Sequence, residues 1–73
     1  MKALALNRNK IIFLDNYKSI MLTVDQDCYR LVDESYSTIV YLAGNKKTAE
    51  ELFTHICNFL ASKGLEYSEF NYE

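Results

Sequence analysis

The sequence contains no proline, only two glycines, two cysteines and a single histidine. With so few Pro and Gly residues, we expect short connections between regular elements. Two cysteines cannot build a disulfide scaffold, so we expect reduced thiols. The apolar run near the start is shorter than the roughly 7–15 residues of a secretory core, and no stretch reaches the ~18 apolar residues of a membrane span. These features predict a cytoplasmic protein.

Composition and length favour one packed domain over residues 1–73. The chain has 73 residues, 49% of them hydrophobic, which is typical of a globule rather than of disorder. The net charge is −2. Residues 1–47 carry seven basic and five acidic side chains (+2), and residues 48–73 carry one and five (−4). A polyanion-binding protein usually has a concentrated basic face, which this distribution does not indicate.

Five segments within residues 2–43 have the pattern of β-strands. They are rich in β-branched and aromatic residues, or alternate apolar and polar positions, and polar turn residues separate them. The turn Asp25–Asp27 is one of these separators. The predicted strands are Lys2–Leu6, Ile11–Leu14, Tyr17–Val24, Cys28–Val32 and Ser37–Ala43. Closely spaced turns favour an antiparallel meander, and on the third strand we expect Ile20, Leu22 and Val24 to face a helix.

That helix is predicted over residues 48–63. Thr48 and Glu51 form the T-x-x-E pattern of a capping box, Gly64 follows as a stop signal, and apolar residues recur between them at helical spacing. The acidic, aromatic tail, residues 65–73, is predicted as a frayed end, an extra strand or a docked extension. The predicted fold is therefore α+β: a four- or five-stranded antiparallel sheet with one C-terminal helix packed on one face.

His55 and Cys57 are the two side chains that catalysis or metal binding would use most readily. Positions two apart on a helix differ by about 200°, so the two side chains point in opposite directions. We expect His55 on the polar surface and Cys57 on the flank of the apolar stripe. The CxxC, HxxxH and HExxH spacings are absent, and "LAGNKKT" lacks the spacing of a phosphate-binding loop. The sequence predicts no catalytic residue, no metal ligand and no cofactor, and hence a protein that is not an enzyme.

The face of the sheet away from the helix is the better candidate for function. One helix covers one face, and exposed apolar patches usually mark interfaces. The uncovered face would be drawn from Ile11 and a set of five residues that we take as the candidate interface: Phe13, Tyr17, Met21, Ile39 and Tyr41. This predicts a protein-interaction or regulatory module that self-associates as a homodimer, binds a protein partner, or does both, with no membrane contact. The alternative is a single-stranded nucleic-acid-binding module in which the sheet-face tyrosines stack on bases.

The segments "IIFLDNYKSIML", "YRLV" and "TAEELFTHICNFL" resemble a loose class of small β-meander-plus-helix proteins from low-GC Gram-positive bacteria and their phages. Leu14, Asp15, Asn16, Ser19 and Ile20 match the first part of the pattern, and Thr48 with Glu51 matches the last. The resemblance implies a fold and a phage or mobile-element setting, and it implies no activity and no site residues.

Overall fold

The computed structural model describes residues 1–26 and 28–72. Asp27, in the predicted turn, and Glu73, at the end of the tail, lie outside the described residues. The predicted α+β class is confirmed. The described residues form six strands, one short 3-10 helix and one α-helix: β1 (Ala3–Leu6), β2 (Lys10–Phe13), the 3-10 helix (Leu14–Asn16), β3 (Met21–Asp25), β4 (Cys28–Val32), β5 (Thr38–Ala43), α1 (Lys46–Ala61) and β6 (Tyr67–Phe70).

The prediction of one four- or five-stranded sheet is wrong, because the described strands form two three-stranded sheets. In the terminal sheet, with order β2-β1-β6, β1 pairs antiparallel with β2 and parallel with β6. The meander sheet, β3-β4-β5, is antiparallel throughout. The 3-10 helix ends β2 and separates it from β3, so these strands do not continue one meander. The predicted strand Tyr17–Val24 accordingly begins only at Met21.

Positive φ angles in the first turn fold β1 back on β2. Asn7 (φ 51°) and Arg8 (φ 61°) are both left-handed, and the Asn9 N–H donates to the Leu6 carbonyl at 3.1 Å. Two successive positive φ values match the right-handed twist of a hairpin. Asn7 also fixes the tail: its N–H donates to the Phe70 carbonyl at 3.1 Å, and its Oδ1 accepts from the Tyr72 N–H at 2.6 Å.

A β-bulge in β5 links the two sheets. Leu31 pairs with Val40 and Val32 with Thr38, so Ile39 is the extra residue. An extra residue leaves backbone groups without a ladder partner, and the Lys10 Nζ donates to the Ile39 carbonyl at 2.9 Å. Because the bulge turns its side chain inward, Ile39 is buried with the core.

The helix starts two residues earlier than predicted. Asn45 is the N-cap, and its Oδ1 accepts from the Thr48 N–H at 3.0 Å. Thr48 therefore lies inside the first turn and does not begin a capping box with Glu51. Asn is among the preferred N-caps and precedes Thr48, which explains the earlier start. At the other end Ser62 is the C-cap, so residues 62–63 lie beyond the helix.

The core lies between the sheets and α1. It is entirely apolar among the described residues and draws on both sheets and the helix: Leu4, Leu6, Ile12, Leu14, Leu31, Ile39, Val40, Leu42, Ala49, Leu52, Ile56 and Phe59. Leu4, Leu31 and Leu52 are fully buried. Since strand side chains alternate between faces, burial of one face leaves the opposite face of each sheet outward. Val24, predicted to face the helix, is exposed near the end of β3.

Candidate interaction surface

The outer face of the terminal sheet, which we call the terminal face, is mainly apolar, with Glu69 as the charged position in its two rows. The registers place Phe13, Ala3 and Tyr67 in one cross-strand row, and Ile11, Ala5 and Glu69 in the next. These positions alternate with the buried Leu4, Leu6 and Ile12 and therefore point outward. Ile11 is 59% exposed, Phe13 44% and Tyr67 54%. Such clustering of large apolar groups on a surface is typical of an interface.

The centre of the terminal face is a furrow, because the middle strand contributes only small side chains there. Ala3 and Ala5 lie between the bulky residues of β2 and β6. A groove of about 590 Å³ runs over Ala5, bounded by Ile11 on one side and by Tyr67 and Glu69 on the other, with Arg8 among the residues at its rim. An apolar floor with both charge signs at the rim suits a peptide or protein surface.

Tyr67 is held along its own strand by Glu69. The Tyr67 hydroxyl donates to Glu69 Oε1 at 2.8 Å, and this hydrogen bond raises the pKa of Tyr67 above its ordinary value. A tyrosine is neutral at physiological pH even with its ordinary pKa of about 10, and the Glu69 carboxylate holds the Tyr67 hydroxyl in place on this face.

The five candidate interface residues do not share one surface. Phe13 lies on the terminal face, whereas Met21 and Tyr41 lie on the outer face of the meander sheet, half-buried and exposed respectively. Tyr17 packs against the core. Ile39, only 8% exposed, belongs to the core. The sequence reasoning included Ile11 among the uncovered positions, but it missed Tyr67, because it left the conformation of the tail open.

The outer face of the meander sheet is more polar. Arg30 lies at its centre between Thr23 and Tyr41, and the Arg30 Nη1 donates to Thr38 Oγ1 at 2.9 Å. Its Nε is buried without a hydrogen-bond partner among the described residues. The Tyr41 hydroxyl donates to Cys28 Sγ at 2.9 Å, and this bond raises the pKa of Tyr41.

His55 and Cys57 have separate surroundings. The His55 Nε2 is 2.7 Å from Ser68 Oγ, and its ring lies 5.2 Å from that of Phe70. His55 is half-buried rather than on the polar surface, because β6 packs over it. Cys57 is exposed. Within residues 1–26 and 28–72, no three His, Cys, Asp or Glu side chains are grouped so that they could hold a metal ion.

Cys57 lines a second groove, of about 370 Å³, between α1 and residues 14–20. Its walls are mainly apolar and include Leu14, Phe53 and Leu60, and Asp15 and Lys18 also line it. Pockets of this size accept small molecules. The two charged groups have opposite signs, however, so the lining does not select one ligand class.

Comparison of this chain with protein families, curated proteins and solved structures finds no match. In the described part of the chain, no helix is long and apolar enough to cross a membrane.

Proposed function

We propose that this protein is a non-enzymatic protein-interaction or regulatory module that self-associates through the terminal face. The single observation that supports this is the exposure of Ile11, Phe13 and Tyr67 around a floor of alanines. Tyrosine and phenylalanine are enriched at protein interfaces. Small size favours the same conclusion, because oligomerisation commonly supplements a small core.

The mass in solution tests this proposal. Light scattering coupled to gel filtration should give about twice the 8.5 kDa of one chain. Phe13→Asp should lower the mass to that of a monomer, because a carboxylate at the interface would lose its hydration. Tyr36→Asp is the matched control: Tyr36 is an exposed aromatic residue in the β4–β5 turn with φ 62°, a conformation that Asp tolerates.

Circular dichroism of both variants checks that the fold is retained. A single-chain mass for the unmodified protein at high concentration would contradict self-association. An equal loss of mass in both variants would contradict the choice of surface.

The alternative function, single-stranded nucleic-acid binding, rests on a different surface. Tyr41 is 57% exposed beside Arg30 on the outer face of the meander sheet, and aromatic rings next to arginine stack on bases. Labelled oligonucleotides should then bind with an affinity that falls as salt rises. Tyr41→Leu should weaken that binding and Tyr36→Leu should not; no binding at low salt would end this alternative.

The cellular setting that we propose is the cytoplasm of a low-GC Gram-positive bacterium or of a cell infected by its phage. The support is the resemblance of residues 11–22 and 48–60 to small proteins of that origin. A pull-down from the native host would identify the protein partner, and the genes beside the coding sequence would show whether the setting is a phage or mobile element.

A further inference from the structure

Strand β2 leaves one edge of the terminal sheet open. The Leu14 N–H donates to the Lys2 carbonyl at 2.9 Å, so Lys2 and Leu14 are a hydrogen-bonded pair across β1 and β2. Antiparallel ladders alternate, and Leu4 with Ile12 is then the next such pair. The backbone amides of the alternate residues of β2, Ile11 and Phe13, therefore point away from β1. In the described part of the chain, no strand lies on that side of β2.

We propose that two copies of this chain pair antiparallel through β2, with the two-fold axis at Ile11. This rests on the self-association proposed above and places its contact at the β2 edge of the terminal face, where the Ile11 side chains of the two copies meet. Each Ile11 N–H donates to the Ile11 carbonyl of the other copy, and each Phe13 N–H faces the Asn9 carbonyl of the other copy. The result is one six-stranded sheet with order β6-β1-β2-β2-β1-β6.

The 3-10 helix selects this register. Phe13 is its N-cap residue, and an N-cap carbonyl already accepts the first hydrogen bond of the helix. A two-fold axis at Ile12 would pair Ile11 with Phe13 and would require that carbonyl as an acceptor. A two-fold axis at Ile11 does not use it.

Side chains and charges fit the same register. It sets two exposed Ile11 side chains opposite each other, and β-branched cross-strand pairs stabilise sheets. It also brings Arg8 of one copy level with Leu14 of the other, next to Asp15. Arg8 is exposed and has no hydrogen bond or ion pair within residues 1–26 and 28–72, and the Asp15 side chain is 49% exposed. The pairing is two-fold and closes on itself, so it gives a dimer rather than a fibre.

The other open edges suit this pairing less well. Strand β3 ends at the exposed Asp25, and β5 has a bulge whose Ile39 carbonyl is already bound by Lys10. Strand β6 carries Glu69, and Glu66 precedes it, so a two-fold pairing there would bring like charges together. Charges and bulges are the usual protection of edge strands. Strand β2 has no bulge in its pairing with β1, and the Nζ of its one charged residue, Lys10, is bound to the Ile39 carbonyl.

Cysteine cross-linking tests the register. In a Cys57→Ser background, Ile11→Cys places two thiols across a hydrogen-bonded pair, where Cα atoms are about 5.5 Å apart, within disulfide range. Mild oxidation should give the covalent dimer roughly a hundredfold faster than in Val24→Cys, the control on the edge strand β3. The paired thiols meet at an effective concentration of about 1 mM rather than the ~10 µM of the solution.

Amide hydrogen exchange of the unmodified chain gives an independent readout. The Ile11 and Phe13 amides should become protected as protein concentration rises. A dimeric mass with no Ile11→Cys cross-link and no such protection would overturn edge pairing and leave self-association standing. Cross-linking through Phe13→Cys but not Ile11→Cys would overturn the two-fold axis at Ile11. A monomeric mass at high concentration would overturn both proposals.

Discussion

Replacing Lys2 should destabilise the fold more than replacing a lysine whose side chain has no hydrogen bond or ion pair among the described residues. The Lys2 Nζ donates to the Ser62 carbonyl at 3.0 Å, to Ser62 Oγ at 3.3 Å and to the Leu65 carbonyl at 2.6 Å. It also lies 4.8 Å from the centre of the Phe59 ring. One ammonium group therefore binds carbonyl groups just beyond the end of α1 and so ties β1 to the segment that leads into β6.

The size of the effect follows from these contacts. A hydrogen bond to a charged group contributes about 1.5–3 kcal/mol, a cation at a helix C-terminus about 0.3–1 kcal/mol, and an exposed cation–π contact about 0.5–1 kcal/mol. Because these contacts share one partly exposed group and are not additive, we expect Lys2→Met to cost about 2 kcal/mol. That corresponds to roughly 8–16 °C in Tm for a domain of this size.

Urea denaturation at a fixed protein concentration measures this cost, since the proposed self-association would make apparent stability depend on concentration. The control is Lys63→Met, because Lys63 is exposed and has no hydrogen bond or ion pair among the described residues. Surface substitutions of that kind usually change stability by less than about 0.5 kcal/mol. A Lys2→Met cost no larger than that of the control would refute the reasoning.

Two further predictions concern a helix cap and a titration. Asn45→Ala should lower the free energy of unfolding by about 1 kcal/mol and Thr48→Ala by less, measured by urea denaturation; the reverse order would mean that the capping box forms after all. The tyrosinate absorbance of Tyr41 should appear above its ordinary pH range, because the hydrogen bond from its hydroxyl to Cys28 raises its pKa. Any stability that this bond contributes is present at neutral pH and is lost as the pH rises through the raised pKa. Cys28→Ala should move the titration down, whereas an unchanged titration, or an equal move in Cys57→Ala, would exclude this cause.

Local sequence patterns predicted the elements of this fold better than their assembly. The strand Cys28–Val32 has the predicted bounds, and the positive φ angles of Asn7 and Arg8 lie in the polar segment between the first two predicted strands. These features depend on neighbouring residues. The parallel pairing of β1 with β6 joins Ala3 to Tyr67, and no local period carries information about a partner so far away along the chain.

The candidate interface residues were predicted only in part, because their assignment also relied on a local pattern. Alternation along a strand predicts which residues share a face, but a bulge shifts that alternation by one residue. Ile39 is the extra residue in β5 and moved into the core, so its assignment to the outer face failed. Phe13 lies in a strand without a bulge, and its side chain is on the outer face of the terminal sheet, as alternation predicts. Two sheets instead of one then separated Phe13 from Tyr41.

The position of β6 accounts for both the closure of the core and the surface that remains open. By pairing with β1, the tail brings Phe70 against His55 and the core and turns Tyr67 outward beside Ala3. The tail therefore covers the inner side of the terminal sheet's edge and, at the same time, completes the apolar row on its outer side. It also makes β1 the central strand, which leaves β2 at the edge. A chain without β6 would lack this row and would expose β1 as a second open edge, so the proposed pairing through β2 would then compete with pairing through β1.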